Sequence, residues 1–76
     1  MVRFHPSFSR TKSGFIPRIM VRDNKGQMKG SATPNADAKP FRTFPTADQA
    51  RIEARLIANR VAQTLTATRG IAVRVA

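Results

Sequence analysis

Hydrophobic and polar residues alternate most clearly in Phe15-Ile16-Pro17-Arg18-Ile19-Met20-Val21-Arg22. Successive side chains of a strand point to opposite faces, so Phe15, Ile19 and Val21 share one face while Ile16, Arg18, Met20 and Arg22 share the other. This is a strand with a basic outer face. Pro17 has no N–H to give a ladder, which puts the strand at a sheet edge or starts it near that residue. Asp23-Asn24-Lys25-Gly26 follows, with residue types that favour chain reversal, so the segment predicts a hairpin. The return arm, Gln27 to Thr33, alternates weakly around Gly30 and leaves the strand length open. Residues 34–40 lie between two prolines without a large apolar side chain and predict an exposed loop.

A second pattern begins at Thr46-Ala47-Asp48-Gln49, where a Thr is followed three residues later by Gln, the signature of a capping box. From Ala47 to about Ala67 there is no Gly or Pro, and the stretch is rich in strong helix formers. At the helical period, Ala50, Ala54, Ile57, Ala58, Val61 and Leu65 fall in one stripe, which is expected to lie on a sheet. Gly70 ends the helix, and Ile71-Ala72-Val73-Arg74-Val75-Ala76 alternates again as a closing strand with Arg74 outward.

Residues 1–14 carry Val2, Phe4 and Phe8 among polar and basic positions. Two readings are open for this arm: a flexible, loosely docked terminus, or a basic edge strand that orders on the sheet or on a partner. Residues 15–76 form the expected domain. It is a small two-layer α+β domain, a β-hairpin, then one long α-helix, then a C-terminal strand, with the helix packed on one face of a three- or four-stranded sheet.

Composition adds a partner class to this picture. Fourteen Lys and Arg stand against four Asp and Glu, giving a net charge of +10 over 76 residues. Such a chain repels itself unless an anion is near, and nucleic acid is the natural candidate. No Cys excludes disulfides, thiolate metal sites and a Cys nucleophile. No apolar run is long enough to span a membrane, and the first residues lack the apolar stretch of a signal peptide, so a cytoplasmic protein without a membrane partner is expected. His5 is the only His and has no acidic cluster near it in sequence, so no metal is expected there. The acids Asp23, Asp37, Asp48 and Glu53 show no paired spacing for acid and base work. Gly26-Gln27-Met28-Lys29-Gly30 lacks the ending of a phosphate loop. The expectation is a protein that is not an enzyme, without cofactor or small-molecule substrate.

One helix covers one side of a sheet, so the other side is where recognition would occur. On the alternation argument Arg18, Arg22 and Arg74 project there. Lys25 sits at the hairpin tip, and Lys29 fits either face. A guanidinium presents a planar fork of donors suited to phosphate and to guanine. Arg51 and Arg55, one turn apart on the helix, are further candidates for phosphate contact, although Asp48 is within reach of Arg51. Ile16 and Met20 lie among the Arg residues of the sheet face, where they could meet sugars and thymine methyls or form a seam between two sheets. Ile52 and Leu56 lie opposite the apolar stripe and suit a helix-mediated dimer. The alternative to nucleic-acid binding is therefore a protein-interaction or structural module, possible as a homodimer. Tyr and Trp are absent and no aromatic-rich RNA signature is present, which favours DNA over RNA.

Three segments together resemble the amino-terminal arm-binding module of tyrosine recombinases: Ser13-Gly14-Phe15-Ile16-Pro17-Arg18-Ile19, Asp23-Asn24-Lys25-Gly26-Gln27, and Phe41 to Ala50 with its Thr46 cap. The resemblance implies a small sheet backed by one helix, inserted in the DNA major groove, with the groove-facing role on Arg18, Arg22 and Lys29. The long 34–40 loop and the strand after the helix depart from that pattern.

Overall fold

The computed structural model describes residues 1–23, 25–32 and 43–76. The elements run β1 (Val2–Thr11), β2 (Gly14–Arg22), β3 (Met28–Ala32), α1 (Ala47–Arg69) and β4 (Val73–Val75), with the sheet ordered β3-β2-β1-β4. β1 pairs antiparallel with β2, β2 antiparallel with β3, and β4 parallel with β1. The α+β architecture is as expected, with four strands. The expected 34–40 loop lies outside the described residues.

The amino-terminal segment is a strand of the sheet, interior where β4 flanks it and without a described neighbour on that side from His5 onward. β1 is held by β2 along Arg3–Thr11 and by β4 at Val2–Phe4, so its first residues lie between two strands. The reason is the crossover: after the helix crosses the sheet, the chain returns on the far side of β1 and encloses its first residues. Both strand prolines fit this order. Val2 donates its N–H to Ala72, so the even-numbered residues of β1 turn their nitrogens toward β4. Pro6 then faces the ground beyond the last β4 bond, Ala76 N–H to Phe4 O at 2.9 Å. Pro17 has the parity of Phe15, whose N–H points away from β1 to Phe44 O. Its nitrogen falls between the Ile19–Ala32 pair and the Phe15–Phe44 bridge, so the ladder with β1 loses no bond. β2 is therefore interior despite its proline.

The local signals read from sequence operate as their chemistry requires. Asp23 closes the β2–β3 turn: its Oδ1 accepts from the Lys25 and Gln27 amides, both at 2.9 Å. Thr46 caps the helix by accepting from Gln49 N–H at 3.2 Å. Gly70 ends it in the left-handed region at φ 64°, with its N–H returned to Thr66 O.

The helix packs against β1, β2 and β4 through Ala50, Ala54, Ala58 and Ala62, all buried. Phe4 and Ile19 meet this Ala row from the sheet, with Val2, Val21, Val73 and Val75 around them. The stripe is rotated by about 30° from the expected one, taking in Ala62 and releasing Val61, which is 40% exposed. Val73 and Val75 of β4 form a wall on the Ala62 side, whereas no described contact joins the helix to β3 on the other. Core contact thus depends on small side chains letting two backbones approach.

The same close approach appears at Gly14. Its φ is 139°, and a Cβ there would stand 2.7 Å from Phe44 O, the oxygen that accepts from Phe15 N–H. This contact anchors the approach to the helix cap. Gly14→Ala is expected to destabilise the protein by roughly 1–3 kcal/mol, combining backbone strain with displacement of Phe44. Chemical denaturation with an unchanged midpoint would contradict it.

Candidate functional site

Because the helix occupies the Phe4/Ile19 side, residues of opposite parity form the other face, on which no described element packs. Cα pairing sets Arg22 opposite Arg3, and Arg3 opposite Arg74. Three strands thus present arginine in one transverse row. Neighbouring strands lie about 4.8 Å apart, so the row is roughly 10 Å from Arg22 to Arg74. The next rows along the hairpin are Met20–His5, Arg18–Ser7 and Ile16–Ser9. Arg18 is held on this face by a 2.8 Å bond from its guanidinium to Ser9 Oγ. Arg22 donates to Gly26 O at 3.0 Å, which turns its fork toward the hairpin tip.

The row carries an electrostatic cost. Like charges directly opposite on neighbouring strands are destabilising, and their spacing is inside the screening length of about 8 Å at physiological salt. Two acids are paired elsewhere: Asp23 with Lys29 at 3.8 Å and Asp48 with Arg51 at 3.2 Å. Among the described residues no carboxylate forms an ion pair with Arg3, Arg22 or Arg74.

The other sequence candidates take different positions. Lys25 is exposed at the β2–β3 turn. Lys29 belongs strictly to neither alternation: the register passes from Val21–Gly30 to Arg22–Met28, leaving Lys29 as the extra residue of a bulge. Arg51 and Arg55 are on the helix and are not members of the arginine row. Arg51 lies over the Phe8 ring, its guanidinium carbon 5.2 Å from the centroid, and bonds Asp48. Arg55 donates to the Ala76 carbonyl, fastening the helix to the end of β4. Ile16 and Met20 are half-buried on the arginine face, while Ile52 and Leu56 are 60% and 54% exposed on the helix. These four apolar residues do not form one patch.

Arg3 is the member that sequence reasoning missed. Val2-Arg3-Phe4-His5 does alternate, but Pro6-Ser7 interrupts the pattern before it becomes long enough to declare a strand. Only pairing with β2 and β4 makes Arg3 the centre of the row.

No family model matches the chain, and neither a curated protein nor a solved structure matches it. No described helix is long and apolar enough to cross a membrane.

Proposed function

We propose that this domain binds nucleic acid, duplex DNA in preference to RNA, through the arginine-bearing sheet face. The carrying observation is the Arg22–Arg3–Arg74 row, three like charges on adjacent strands with no described acid paired to them. A polyanion converts that repulsion into attraction and supplies acceptors matched to guanidinium donors. The row's span of roughly 10 Å is close to the width of about 12 Å of a B-DNA major groove, consistent with the sheet-in-groove placement implied by the recombinase resemblance. Arg18 extends the face along the hairpin, and Lys25 and Lys29 lie at its β2–β3 end.

Duplex is favoured because Phe4, Phe8 and Phe15 have the parity of the helix-covered face, which removes these rings from base stacking on the open side. Ile52 and Leu56 are on the opposite layer, so self-association through the helix would leave the arginine face accessible. With about five phosphates neutralised, log affinity is expected to fall with log salt at a slope of about −4 to −5. Fluorescence anisotropy with a labelled duplex at several salt concentrations measures it. A flat response, or no binding at low salt, overturns the reading.

A further inference from the structure

Arg3, His5, Arg74 and Ala76 line a small cleft of about 150 Å³ at the β1–β4 edge. Arg3 and Arg74 are Cα partners on parallel strands, so their side chains leave the same row of the sheet. His5 is one step along the same face, and its Nε2 is screened from solvent without a hydrogen-bond partner. A polar atom withdrawn from water with no partner is costly, and such atoms are scarce in folded proteins. Here it accompanies two exposed guanidinium groups that form no ion pair with an acid among the described residues.

We propose that this cleft is a discrete phosphate-binding site, in which Arg3 and Arg74 clamp one phosphoryl group and the His5 imidazole donates to it after a small side-chain movement. The inference rests on the nucleic-acid reading for its biological ligand, a backbone phosphate, but the site itself makes a separate claim. Two guanidinium forks can satisfy a tetrahedral oxyanion from two directions, a geometry that scattered surface lysines do not provide. Arg18 and Arg22 belong to the same face but not to the cleft lining, so they attract the polyanion without defining this position.

The test uses inorganic phosphate, titrated at constant ionic strength against chloride while the His5 imidazole and arginine Nε–Hε resonances are followed by NMR. Saturable shifts of His5, Arg3 and Arg74 together are expected, with Arg18 much less affected. Arg74→Ala and His5→Gln should each weaken phosphate binding by about tenfold, the loss of one charge-assisted donor. Arg60→Ala, on the helix, should not. Shifts that are absent, or spread equally over all arginines, overturn the site even if duplex DNA still binds with steep salt dependence. Saturable shifts that localise to the cleft sustain the site even if duplex binding fails, in which case the nucleic-acid reading falls and a free phosphorylated ligand takes its place.

Discussion

Ala58→Leu is expected to lower the melting temperature by about 4–24 °C. Ala58 has no exposed surface and belongs to the row through which the helix meets the sheet. The leucine adds three carbons where no space exists, so the helix must lift or neighbouring side chains must leave their rotamers, at a cost of roughly 1–3 kcal/mol. In a domain of this size each kcal/mol moves the melting temperature by about 4–8 °C. The effect is severe because a chain this short buries only about 60% of its unfolded-state surface and has little stability to lose. Thermal unfolding followed by circular dichroism measures it. Val61→Leu is the control: that side chain is 40% exposed, and its enlargement should change stability by no more than about 0.5 kcal/mol. Equal melting of both variants would mean that the helix does not approach the sheet as closely as the buried Ala row indicates.

Replacing Arg3, Arg22 and Arg74 together with alanine is expected to reduce the salt slope of duplex binding by about three, one for each lost phosphate contact. At physiological salt, affinity should fall below the range of ordinary non-specific binding, a Kd of about 10⁻⁴ to 10⁻⁶ M. Stability supplies the second readout. Removing three charges that face one another across strands relieves repulsion, so the variant should be as stable as the parent or more stable by a few tenths of a kcal/mol. Arg60→Ala with Arg69→Ala removes two charges from the helix instead. That pair should leave the slope nearly unchanged if the sheet face carries recognition. Equal losses from both sets would mean that binding follows net charge and not the arginine row.

Much of the fold was legible because its signals are local. Thr46 and Gly70 mark the helix ends through groups within a few residues of themselves, and Asp23 closes its turn by accepting from the Lys25 and Gln27 amides. Alternation also assigned Arg18, Arg22 and Arg74 to the parity opposite the core. It could not show that they gather, because alternation says which side a residue takes and nothing about which strand lies beside it. The amino-terminal arm was the least legible part. Residues 1–14 have too few apolar positions and too many interruptions to distinguish a paired strand from a loose terminus, and the placing of Val2–Phe4 between two strands depends on β4, about seventy positions away in the chain.

The pattern of side chains along this chain thus dictated the helix and its limits, the β2–β3 hairpin, and the side of β2 and β4 on which arginine stands, since all of these follow from backbone preferences and spacings over a few residues. The folded arrangement alone decided that β1 lies between β2 and β4, that Ala62 and not Val61 faces the sheet, that Lys29 bulges, and that Arg3 completes a row with Arg22 and Arg74. Those outcomes depend on long-range pairing and on how closely two layers can approach. They are set by the combined packing of the whole domain, and no short stretch of sequence carries that information.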